Sequence, residues 1–158
     1  MYLEQINNLK KKKMYKIDTS TQVQEAALKT TIPVGINDNC ELINVGRFEA
    51  SNGSDYLAFT FKDEHGNELK HMEWDIDPNR VTPKPGESTD ECVTRRINQM
   101  LVRIKHIATK FIPENQFVVQ GNDFAELCDS IVTLLGPNVY RGKAVRLKVV
   151  YSYNDYCS

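Results

Sequence analysis

The chain has 158 residues, 41% of them hydrophobic and 26% charged, which is the length of one domain with apolar side chain enough for one core and argues against a second. A formal net charge of −1 excludes a surface that is basic all over, and no apolar run reaches the roughly 18 residues of a membrane span. Cys40, Cys92, Cys128 and Cys157 form no CxxC pair and have no neighbouring histidine to complete a zinc site, so reduced thiols in an intracellular protein without metal or other cofactor are expected.

Residues 1–31 are polar and rich in Lys, Gln and Thr. They read as an N-terminal arm, partly helical where Tyr2, Leu3, Ile6 and Leu9 give weak apolar spacing. The run Lys10 to Lys13 suits either a flexible phosphate-binding arm or a solubilising tail. The folded domain is predicted over residues 32–158, beginning at Ile32-Pro33-Val34-Gly35. A strand over Glu41 to Phe48 places apolar groups on both faces, as a curled sheet needs. Asn52-Gly53 then supplies positive φ for a hairpin turn. Tyr56 to Lys62 alternates, with Leu57, Phe59 and Phe61 on one face and Tyr56, Ala58, Thr60 and Lys62 on the other. After a turn at His65-Gly66-Asn67, a third strand is predicted over Leu69 to Ile76 with Met72, Trp74 and Ile76 as its apolar set. Together the three strands make a β-meander.

Asp77 to Thr89, with Pro78, Pro83, Pro85 and Gly86, reads as a loop. Ser88 and Glu91 make a capping-box pattern, and apolar residues recur at Val93, Ile97, Met100, Leu101, Ile104, Ala108 and Phe111. That spacing predicts an amphipathic helix of about 20 residues. Its outward arc carries Arg95, Arg96, Arg103, Lys105, His106 and Lys110. Gln116 to Gln120 reads as a short strand or extended piece. Asp123 and Glu126 cap a second amphipathic helix through Phe124, Leu127, Ile131, Leu134 and Leu135, ended by Gly136-Pro137. The last strand is predicted over Ala144 to Tyr153, with Val145, Leu147, Val149, Tyr151 and Tyr153 opposite Arg146 and Lys148. The fold class is therefore mainly β with inserted helices, an α+β domain.

Charge is segregated along the chain. Asp63 to Glu91 holds nine acidic residues against three basic ones, whereas Cys92 to Ile112 holds five basic residues and no acid. A dipolar surface follows if the basic segments meet in space. Catalysis finds little support: His65, His71 and His106 lack companion motifs, and there is no glycine-rich phosphate loop. Glu73 and Asp75 share a face of the third strand, a spacing that an acid–base or metal pair could use but that more often is a solvated edge.

Aromatic residues beside basic ones point to single-stranded nucleic acid, which is bound by ring stacking and phosphate neutralisation. The candidates are Tyr56 and Lys62 on the second strand, Lys70 and Trp74 on the third, and Arg95, Arg96 and Arg103 on the helix. Tyr140, Arg141, Lys143, Arg146, Lys148, Tyr151 and Tyr153 follow near the C-terminus. Trp74 suits core and stacking platform alike, while Tyr151 and Tyr153 also continue an apolar core face. The helical cations, as on most amphipathic helices, read first as a solvated surface. Tyr56 is the exposed candidate, because Leu57, Phe59 and Phe61 already supply the core.

The run Ile32-Pro33-Val34-Gly35-Ile36-Asn37-Asp38-Asn39, followed by Leu42 to Val45, Tyr56-Leu57-Ala58-Phe59-Thr60-Phe61 and His71-Met72-Glu73-Trp74, resembles the opening of single-stranded-DNA-binding proteins of tailed phages, the crAss-like gut phages included. Lys143 to Tyr151 is similar to the penultimate strand of those proteins. The resemblance implies an OB-fold, a small five-stranded Greek-key barrel with inserted helices that binds single-stranded DNA in replication or recombination. It further implies the cytoplasm of an infected bacterial host, or association with the virion, with phage replication or recombination proteins as partners, no membrane, and oligomerisation left open. Such proteins continue into a further strand, and many end in an acidic tail. By that comparison this chain is either a fragment, or Gln116 to Gln120 supplies the missing strand. The competing expectation is a structural or assembly module of a virion, engaging protein partners through the acidic segment 63–91 and the basic helix.

Overall fold

Alternation of apolar and polar side chains commits the first half of the domain to strands. A computed structural model describes residues 31–150; the expectations for residues 1–30, and those for Tyr151, Tyr153 and Cys157, lie outside the described residues. Strands β1 (Gly35–Glu49), β2 (Asp55–Lys62) and β3 (Glu68–Trp74) form the meander, and β4 (Ala144–Val149) completes an antiparallel sheet in the order β3-β2-β1-β4.

Strand β1 is longer than its apolar run because it serves two partners. Its first part pairs with β4, from Gly35 opposite Val149 to Glu41 opposite Ala144. Its second part pairs with β2, from Glu41 opposite Lys62 to Glu49 opposite Asp55. Register shifts at Asn37/Cys40 and Leu42/Asn44 separate these stretches, and Asn39 takes the left-handed conformation, φ 59°, within the first. Bulges bend a strand and increase its twist, so β1 turns from one partner to the other. Leu42 and Val45 are buried while Ile43, in the second shift, is exposed, which explains the apolar residues on both faces.

Both hairpins of the meander use three-residue loops. Ala50 N donates to Ser54 O at 2.8 Å and Gly53 N to Ala50 O at 2.9 Å. Asp63 N donates to Asn67 O at 2.9 Å and Gly66 N to Asp63 O at 3.2 Å in the same pattern. The third loop residue must be left-handed, and glycine fills it at φ +86° in Gly53 and +87° in Gly66.

Helix α1 (Thr89–Ala108) starts on the predicted capping box, with Ser88 Oγ accepting from Glu91 N at 3.1 Å and Glu91 Oε1 accepting from Ser88 N at 2.9 Å. Helix α2 (Phe124–Leu134) starts on Asp123, whose Oδ1 accepts from Glu126 N at 2.8 Å. Gly136-Pro137 ends it and opens the single turn α3 (Pro137–Tyr140). Met100, Ile104 and Ala108 of α1, Cys128 and Ile131 of α2 and Tyr140 of α3 pack with Leu57, Phe59 and Phe61 of β2 in one core.

The architecture is α+β, and among the described residues the sheet does not close into a barrel. Gln116 to Gln120 supplies no strand. Glu114–Gln116 is a 3-10 turn, and the backbone beyond it bonds locally, through Val118 N to Gln116 O at 2.9 Å. Val118 is 75% exposed, so nothing draws this segment onto a sheet. The third strand also departs from expectation. It ends at Trp74 and not at Ile76, and Met72 and Trp74 are exposed, which leaves Trp74 on the surface side of the two roles its sequence suits. Register decides this: Leu57, Phe59 and Phe61 face the core and oppose Glu73, His71 and Leu69, so those three residues of β3 face inward and the alternate ones outward. Among the described residues Cys40, Cys92 and Cys128 are free and buried, and no helix is long and apolar enough to cross a membrane.

Candidate nucleic-acid interface

The outward parity of three neighbouring strands brings Phe48, Tyr56 and Trp74 directly opposite one another. Ring centroids lie 5.7 Å apart for Phe48 and Tyr56 and 4.6 Å apart for Tyr56 and Trp74. Phe48 is 38% and Trp74 41% exposed, so the row lies open on the sheet face. The next row is Gly46, Ala58 and Met72, small at one end. A Cβ on Gly46 would stand 3.2 Å from two ring carbons of Phe48, so the bare glycine is what lets that ring lie along the strand. Lys70 Nζ sits 5.5 Å from the centre of the same ring, within cation–π range.

Alternation along β4 turns Arg146 away from the core residues Val145, Leu147 and Val149. Lys148 stands opposite Ile36, and Arg146 Nε donates to exposed Asp38. Lys62 also points outward and is exposed. The structure thus places Tyr56, Lys62, Lys70 and Trp74 on the outer face of the meander, whereas Lys148 lines a cavity with inward-facing Phe61, Leu69 and His71 and with α1. Phe48 and Met72 belong to the site as well and were not among the residues nominated from sequence.

Other nominated residues are engaged elsewhere. Tyr140 is 4% exposed and meets Phe111 edge-on at 6.4 Å, so its ring is sealed in the core and cannot stack a base. Arg103 donates from Nε and Nη2 to Glu73 at 2.8 Å each. Arg95 donates to Glu87 at 2.9 and 3.0 Å. Lys143 Nζ donates to Phe111 O at 3.3 Å. Arg141 is exposed at the end of α3, and Arg96 is exposed without an ion pair among the described residues. Two acids of the 63–91 segment are thus paired with two cations of the basic helix, at Glu73–Arg103 and Glu87–Arg95.

Glu73 is not the solvated edge its position in sequence favours. Its side chain is 5% exposed, and His71 Nε2 lies 2.7 Å from its Oε2. Burial pushes the Glu73 carboxyl up, but the hydrogen bonds from Arg103 and His71 prevail and hold it below the ordinary range. The hydrogen bonds from Arg95 pull the Glu87 carboxyl down to about 2. Burial pushes the Cys128 thiol up to about 12, leaving it protonated and inert.

The arrangement can offer adjacent aromatic faces to flat ring systems and cations to the charges between them. No family model matches the chain, and no curated protein matches it.

Proposed function

We propose that the protein binds single-stranded DNA without catalysing a reaction on it, stacking bases on the outer face of β1, β2 and β3. The observation that carries this reading is the open row Phe48–Tyr56–Trp74, since every base has a face to stack and each such contact contributes about 1–3 kcal/mol. Lys62 and Lys70 stand on the same face to meet phosphates, and Arg146 is exposed on β4. A row of rings discriminates little among bases, so sequence preference is weak. The course of the chain supports an OB-type relationship: a meander, a helix after the third strand, and a bent first strand shared between β2 and β4. In such barrels the face of the second and third strands binds oligonucleotides. In this reading the protein covers single strands during phage replication or recombination in the host cytoplasm.

Trp74 is the only tryptophan in the chain, so its fluorescence reports directly on the site. Titration with an oligothymidine is expected to quench it, with affinity falling with salt at a log–log slope of about −0.7 per phosphate contacted. Duplex DNA is expected to bind far more weakly. Fluorescence unmoved by single strands, together with concentration-dependent self-association on sizing, would favour the assembly module instead.

A further inference from the structure

Apart from a single bridge between Thr31 and Glu68 at its start, strand β3 is an edge of the sheet, so the aromatic row runs out at Trp74 onto whatever lies beyond it. What lies beyond is a cleft of about 520 Å³ between β3 and α1, lined by Met72 and Trp74 on one wall and by Arg96, Gln99 and Arg103 on the other. The three helical residues are three and four positions apart and so share one face of α1. The double Arg103–Glu73 bond fixes α1 against β3 and with it the width of the cleft. Ile76, Val81 and Met100 give it an apolar lining. Its volume falls within the roughly 300–1,000 Å³ of small-ligand pockets, the scale of one nucleotide rather than a length of strand.

We infer that this cleft takes a single nucleotide leaving the end of the stacked row, with its phosphate on Arg96 and its base edge on Gln99. The inference rests on the single-strand reading and adds to it one position at which the base is read. Arg96 is the wall's exposed cation without an ion pair among the described residues, since Arg103 is held by Glu73. Asp75, Asp77 and Arg80 also line the cleft; Arg80 Nε lies 3.8 Å from Asp77 and offsets its charge, so Asp75 is left to repel a phosphate, which directs it toward α1. Gln99 is exposed and makes no side-chain hydrogen bond among the described residues. Its amide offers a donor and an acceptor together, the pair that fits a base edge. The row therefore binds without regard to sequence, while the cleft selects.

The test uses the full chain and oligothymidines carrying a single A, C or G at successive positions, read by Trp74 quenching. The unaltered protein is expected to distinguish bases at one position near one end of its site, on the order of tenfold. Arg96→Ala should reduce the magnitude of the salt slope by about 0.7 while leaving the quench at saturation in place. Gln99→Ala should erase the base preference and keep the slope. Lys110→Ala, on an exposed cation beyond the far end of α1, should change neither. If Arg96→Ala and Gln99→Ala both behave like Lys110→Ala while Trp74 is still quenched, the cleft is not part of the site and the inference is overturned alone. If no oligonucleotide quenches Trp74, it falls together with the proposed function.

Discussion

The two faces of the β1–β2–β3 meander are built from the same strands and the same kinds of side chain, yet one is sealed and the other open. Inward, Leu57 and Phe59 are fully buried and Phe61 and Val45 nearly so. Outward, Phe48, Met72 and Trp74 remain 38–42% exposed. The difference lies in where the chain goes after β3. Residues of both helices pack into the inner core; Arg103 ties α1 to Glu73 on β3, and Asp129 of α2 lies 3.8 Å from Arg47 on β1. No described element covers the outer rings. Apolar side chains removed from water stabilise the fold, whereas a contiguous exposed patch marks a surface that acts on something else. Substitutions on the two faces should therefore separate stability from binding.

The largest effect is expected inside. Phe59→Ala removes a fully buried ring and should destabilise the protein by about 3–5 kcal/mol, read as a shifted denaturant midpoint with unchanged slope. Next comes the ion pair that joins the faces to α1. Arg103→Ala leaves the Glu73 carboxylate buried with only His71 beside it, at a cost of about 2–4 kcal/mol. Its pH dependence has a definite sign. Because the folded state holds Glu73 below its ordinary value of 4.5, the pair contributes fully above that pH. The contribution is lost as pH falls through the lowered folded value. Glu73→Gln removes the titration, so chemical denaturation from about pH 5 to pH 3 should show a flatter decline in the variant than in the parent.

The inner face was legible in the sequence, because Leu57, Phe59 and Phe61 alternate without interruption and the capping patterns at Ser88 and Asp123 are local. The outer face was legible only in part. A strand's own pattern cannot say which residue of its neighbour it meets; that depends on loop length. A two-residue turn on Asn52-Gly53 would set Phe48 opposite Leu57 and so into the core. The three-residue loop sets it opposite Tyr56 and carries it outside. The same dependence set Met72 and Trp74 on the surface, a choice that the pattern of β3 alone left open for Trp74. The partners of Arg103 and Arg95 were equally hidden, since Arg103 and Glu73 lie 30 positions apart in sequence and no helical or strand period connects them.

Smaller changes in stability and larger ones in binding are expected on the outer face. Trp74→Ala and Tyr56→Ala should each cost about 1–3 kcal/mol of single-strand affinity. Trp74→Ala should shift folding stability by only about 0.5 kcal/mol, as for exposed positions generally. Since Trp74→Ala also removes the fluorophore, its affinity is measured by anisotropy of a labelled oligonucleotide. Tyr140→Ala provides the contrast: its ring is sealed against Phe111, so stability should drop while affinity, measured well below the melting point, stays the same.

The smallest expected effect is the sharpest on mechanism. Gly46 is not among the glycines with positive φ, so an alanine there fits the backbone, and strand propensity alone predicts a slight gain in stability. Its methyl group, however, would stand 3.2 Å from the Phe48 ring, tight enough that the ring must move. A shifted ring loses its place beside Tyr56 and under Lys70, whose Nζ lies 5.5 Å from its centre. Gly46→Ala should therefore melt no lower than the parent yet bind oligothymidine more weakly, by about 1 kcal/mol or less. Affinity equal to the parent's would mean that the row works as Tyr56 and Trp74 alone, with Phe48 a bystander.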